Sequence, residues 1–277
     1  MRLEGIALRD KGEDMNLRQK AISWTLVCCT AQIAGGCILF PSKIHYNSYM
    51  VPMEVGQGES YRTEEDGSIS YAVEGLRVNA KFMTDAELNA LLPEDSNRGR
   101  YSTNPYTYGD NIDGDVGYTP NRFTTFRISV FNQTFPKVQL NPIEAVLLTD
   151  QDEVLHSYGI PSKSPYDSFE RYYRGLRGQS GNEFYRFEIR MGHVRSLNYA
   201  EGQPIFKGEN YNGLIAFDSL DPGVKRVRLV LNEFALKFDE FGTPLEAIYS
   251  RFDFGRRIEK WKVGDGDSLV GDGGRDQ

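Results

Sequence analysis

Between Ile69 and Phe254 the chain is written in short segments whose apolar side chains recur at every second position. Ile69, Tyr71 and Val73 are spaced this way, as are Leu76, Val78 and Ala80 after Gly75. Phe126, Ile128 and Val130, and later Val227, Leu229 and Leu231, repeat the pattern. The strictest run sets Tyr185, Phe187, Ile189 and Met191 against Arg186, Glu188 and Arg190. A period of two sends alternate side chains to a dry face and a wet one, as in a half-buried strand. Seven or more such segments, parted by turn residues, predict a mainly β fold of antiparallel sheets, a sandwich or barrel rather than βαβ units, with the sandwich favoured.

Connections can be read as well. Ile143 to Thr149 and Val154 to Ser157, joined by Asp150 to Glu153, predict a hairpin. Phe234, Leu236 and Phe238 turn through Asp239 to Pro244 into a strand from Ile248 to Phe254, and Gly213 to Phe217 is a short apolar run. Two short helices interrupt the strands. Thr84 and Glu87 form a capping-box start ahead of Leu88, Leu91 and Leu92, with Pro93 as the stop. Tyr166, Phe169, Tyr173 and Leu176 recur at helical spacing, with Arg171 and Arg174 turned outward and Gly175 or Gly178 as terminator. Residues 93 to 121 read as a polar loop, and loops of that length are often functional or disordered.

The beginning of the chain follows different rules. From Met15 it reads MNLRQK and then AISWTLVCCTAQIAGGC, the basic start, apolar run and small-residue end of a secretory signal. Glu4, Asp10, Glu13 and Asp14 fit poorly in the basic part, which points to Met15 as the true start. Ala34-Gly35-Gly36-Cys37 resembles the lipobox of bacterial envelope lipoproteins, with Ala34 where that family usually has Leu. The resemblance implies that Cys37 carries a thioether-linked diacylglycerol and becomes the mature N-terminus, anchoring the protein in the cell envelope. It also implies a further acyl chain on the new amino group. A second chain matters, because each buried CH₂ contributes about 0.8 kcal/mol and one chain alone holds only marginally. In enterobacterial lipoproteins an Asp after the lipidated Cys retains the protein at the inner membrane, so Ile38 implies the outer one. Two other readings stay open: an uncleaved membrane helix over residues 21 to 42, weakened by Pro41 and the Gly pair, or an ordinary cleaved signal.

All three cysteines, Cys28, Cys29 and Cys37, lie in or at the end of this segment. The exported domain therefore has no pairable thiols and must be held by its core. The expected division is a signal peptide over 1–36, a lipidated N-terminus and tether over 37–68, a β-sandwich over 69–262 and a disordered Gly/Asp tail over 263–277. Tyr46, Tyr49 and Tyr61 suggest that part of the tether packs as an edge strand. The closing pattern GLIAFDSLDPGVKRVRLVL, then FDEFGTP and a Phe-rich strand, resembles the C-terminal half of immunoglobulin-like domains in bacterial surface lipoproteins, over about residues 211–255. That implies an immunoglobulin-like β-sandwich.

A net charge of −7 argues against a nucleic-acid partner, since phosphate binding needs clustered Lys and Arg. Asp110, Asp113 and Asp115 are a candidate Ca²⁺ cluster, although no EF-hand Gly or closing Glu follows and such groups are commonly plain turns. Gly178 to Gly181 falls one residue short of G-x-S-x-G. His45, His156 and His193 form no ligand pair, so no catalytic residue is assigned. Tyr166, Arg171, Tyr172 and Arg174 are candidate interaction residues, because Tyr and Arg are enriched at interface hot spots; the competing reading is an amphipathic helix closing one end of the sandwich. The expectation is a lipid-anchored, non-enzymatic binding or assembly module without cofactor, acting through loops such as 93 to 121, held to the membrane by its anchor and partnered by another envelope protein. An envelope glycan or peptide hydrolase and a calcium-stabilised adhesin are the alternatives.

Overall fold

The structure, a computed structural model, describes residues 44–53, 58–176 and 183–262. Strands β1 (Ile44–Pro52), β2 (Tyr61–Thr63), β3 (Ile69–Val73) and β4 (Leu76–Met83) lead into helices α1 (Asp85–Leu91) and α2 (Pro93–Ser96). Strands β5 (Phe123–Asn132), β6 (Lys137–Leu140), β7 (Val146–Thr149) and β8 (Val154–His156) follow, then helices α3 (Phe169–Leu176) and α4 (Glu183–Leu197). Strands β9 (Pro204–Phe206), β10 (Asn210–Asp218), β11 (Arg226–Phe238) and β12 (Pro244–Lys262) close the chain. The sequence from 1 to 36, Cys37 and the tail from 263 lie outside the described residues.

All strand pairs are antiparallel. One sheet runs β10-β5-β4-β3-β2; the other runs β1-β12-β11-β6-β9, with β7 also paired to β11 and β8 paired to β7. The two share one core: Ile69, Leu76, Val78, Phe126, Ile128 and Val130 from the first meet Leu140, Leu147, Leu229, Leu231, Phe252 and Phe254 from the second. The period-two residues of β4, β5 and β11 are therefore the buried ones, and in β3 Ile69 is buried while Tyr71 and Val73 are half-buried; a fully buried Val, Leu, Ile or Phe contributes about 1.5–3 kcal/mol by leaving water. Within the expected tether, residues 44–52 form β1, an edge strand held by β12 from Ile44↔Lys262 to Pro52↔Phe254.

A helical layer covers the outer face of the first sheet. Leu214 and Ala216 of β10 turn towards it while Ile215 and Phe217 face the sheet-to-sheet core, so a strand dry on both sides reads as an unbroken apolar run. Thr84 caps α1 through the predicted box: its Oγ1 accepts from Glu87 N at 3.2 Å, and Thr84 N donates to Glu87 Oε2 at 2.9 Å. Pro93 opens α2 as well as ending α1.

One segment departs from expectation. Tyr185 to Met191, the strictest alternation in the sequence, belongs to the 15-residue helix α4. Phe187, Met191 and Val194 also recur at helical spacing, and these are the side chains that bury against Phe169 and Tyr173, leaving Tyr185 exposed. Tertiary contact chose between two periods that the same residues satisfy.

Gly213 is dictated by packing. A Cβ there would lie 2.4 Å from Tyr199 Cα, because the chain leaving α4 runs against β10, with Tyr199 N donating to Leu214 O at 2.9 Å.

Candidate functional site

The loop over 93–121 is built in rather than free. Asn104 is buried and donates through Nδ2 to Leu88 O at 3.1 Å and Ser96 Oγ at 2.9 Å. Arg122 donates to Asn104 O at 3.1 Å and lies over the Tyr108 ring at 4.1 Å, while Arg190 donates to Ser102 O at 2.9 Å. Tyr106 Oη donates to Asn198 Oδ1 at 2.6 Å, and His193 Nε2 meets Asp95 Oδ2 at 2.8 Å. These bonds satisfy buried polar groups that would each cost about 1–3 kcal/mol unpaired. Asp85, in the first turn of α1, is a carboxylate held in the same region: burial pushes its carboxyl up to about 6, against the opposing pull of an Asn121 hydrogen bond and the Arg122 charge.

The residues singled out by sequence divide accordingly. Tyr172 packs against Phe123 and Tyr173, Arg171 Nη1 donates to Ser162 O and Ser164 O at 3.2 and 3.1 Å, and Arg174 pairs with Glu170 at 2.5 Å. Tyr166 stands before α3, stacked at 3.9 Å on His156. The arrangement is that of an amphipathic helix on a sheet. Asp110 Oδ1 accepts from Gly99 N at 2.6 Å, a bond across the loop, and Asp113 Oδ1 accepts from Asp115 N at 2.8 Å, a turn contact. Among the described residues, no group of three His, Cys, Asp or Glu side chains is placed to hold a metal. Cys37, Ala34, Gly35 and Gly36 lie outside the described residues, as does Ser180.

An open groove of about 570 Å³ on the second sheet is lined by Met53, Leu148 and Val154 together with Arg228 and Asp253. Arg228 forks onto Asp253 at 2.6 and 3.1 Å, and Asp150 Oδ1 accepts from Lys225 N at 3.2 Å. Those two carboxylates serve as structural acceptors.

The least expected surface is the β11–β12 hairpin. Phe241 is 85% exposed, Leu245 70% and Tyr249 68%. Phe241 sits in the turn and Leu245 and Tyr249 in β12, and the hairpin is well bonded: Asp239 Oδ1 accepts from Phe241 N at 2.9 Å and Thr243 N at 2.7 Å, Gly242 takes φ +83°, and Lys237 pairs with Glu246 across the strands. Grooves of about 510 and 450 Å³ flank β12 and share Ala247 as a wall; Gln139, Asn141 and Glu233 line one, Tyr61 and Tyr71 the other. Sequence reading placed a turn here but gave it no role, since an apolar residue in a turn carries no sign of its exposure.

The chain matches no protein-family model, no curated protein and no solved structure.

Proposed function

We propose that this chain is a lipid-anchored, non-enzymatic binding or assembly module of the cell envelope, with an immunoglobulin-like sandwich as its body and the β11–β12 hairpin as the element that docks onto another envelope protein. One observation carries the reading: a bonded, well-formed hairpin holds Phe241, Leu245 and Tyr249 in water. Leaving such side chains solvated forgoes about 1.5–3 kcal/mol each, a cost that docking recovers. Two antiparallel sheets around one core support the sandwich, to which the helical layer is an addition. The anchor rests on the lipobox-like residues Ala34 to Cys37.

Two measurements test this. A photo-crosslinking residue placed in living cells at Phe241, Leu245 or Tyr249 should yield the same discrete adduct from all three positions, and none from exposed Lys163. Leu245→Lys should abolish the adduct formed from position 241. Equal labelling at position 163 refutes the docking element. Mass spectrometry of the mature N-terminus should find acylated Cys37, and a peptide running intact through Gly36-Cys37 refutes the anchor.

A further inference from the structure

We infer that the end of the domain where β1 begins and β12 finishes lies in the headgroup–acyl boundary of a phospholipid bilayer, which rests on the anchoring of Cys37. Six residues lie between Cys37 and Ile44, and the seven Cα-to-Cα steps span at most about 25 Å when fully extended. The surface at that end suits such a position. Ile44 N donates to Gly117 O at 2.8 Å, which holds the 111–118 loop beside the first residue of β1. The loop presents Ile112 at 46% and Val116 at 41% exposure, and Trp261, paired with His45 near the end of β12, is 50% exposed. Trp261 stacks on His45 at 3.8 Å, and Tyr46 stacks on Tyr118 at 4.4 Å with Lys260 Nζ above both rings.

Trp and Tyr rings flanked by Lys are the side chains that settle at a membrane interface, where an apolar body meets one wet end. Arg256, Arg257, Lys260 and Lys262 are opposed by Glu259 and the loop aspartates, so charge is nearly balanced. The fit is therefore to a zwitterionic headgroup layer through aromatic and aliphatic contact, rather than to an anionic surface. The 19 residues of β12 run up to about 60 Å from this end to the hairpin, which would hold Phe241 out towards partners.

Trp261 is a built-in probe, since the chain has one other Trp, Trp24 in the signal segment. With Trp24→Phe, the full chain as made in cells is mixed with phosphatidylcholine vesicles brominated on the upper acyl carbons. Interfacial side chains sit roughly 5–10 Å into the boundary, so about a twofold loss of Trp261 emission and a blue shift are expected. Ile112→Asp with Val116→Asp, both on exposed positions, should reduce the quenching while the protein still floats with the vesicles. Phe241→Trp in a Trp24→Phe, Trp261→Phe background should stay unquenched. A chain that floats with Trp261 unquenched overturns the inference and leaves the anchor standing. A chain that does not float overturns the anchor and the inference with it.

Discussion

Replacing Asp85 with asparagine should stabilise the protein at neutral pH and lose that advantage in acid. Burial raises the carboxyl to about 6 from an ordinary value of 3.8. The folded state thus holds this proton more tightly than the unfolded chain, and stability falls as pH rises from about 3.8 to 6. Two pH units at about 1.4 kcal/mol each give roughly 3 kcal/mol as an upper bound, because part of the Asp85 surface meets solvent and is screened. Losing an acid from the first turn of α1 removes about 0.5 kcal/mol. Asn121 Oδ1, buried without a partner, gains a donor in the new amide, which offsets that loss. The net gain is about 2 kcal/mol at pH 7.5 and under about 1 kcal/mol at pH 4.5, where Asp85 is largely protonated in the folded protein. In thermal melts this is a difference of roughly 4–8 °C at pH 7.5, shrinking in acid. A difference that stays flat with pH, or a variant less stable than wild type at pH 7.5, refutes the reasoning.

Other outcomes follow from the packing. Gly213→Ala should cost about 3 kcal/mol, read as a lowered urea midpoint at unchanged slope, because the new methyl meets the Tyr199 backbone rather than a movable side chain. Tyr106→Phe should cost about 1–2 kcal/mol in the same assay by leaving Asn198 without its buried donor. Asp113→Ala should lower stability by no more than about 1 kcal/mol, the worth of its turn bonds, and calcium should leave the melting of both forms unchanged. Calcium-dependent melting that disappears in that variant would restore the adhesin reading.

Much of the β architecture could be read residue by residue. Strands β4, β5 and β11 each keep a wetter side, so alternation survived in their sequences, and the Thr84–Glu87 box marked α1 because a cap is a contact within four residues. The candidate site was far less legible. Tyr172, Arg171 and Arg174 have the composition of a hot spot, and nothing in the sequence marks the partners the fold supplies to them: Phe123, the Ser162 and Ser164 carbonyls and Glu170. Tyr185 to Met191 satisfied two periods at once, and only Phe169 and Tyr173, brought close by the fold, decided for the helix.

By itself the sequence determined the mainly β class, the turns, the capped helix and the cysteine-free body, all properties of neighbouring residues. Tertiary structure alone decided that β1 closes the sheet edge, that Trp261 meets His45, and that Phe241 stays in water. Exposure and long-range pairing depend on which surface the rest of the chain leaves uncovered, and no local pattern records that.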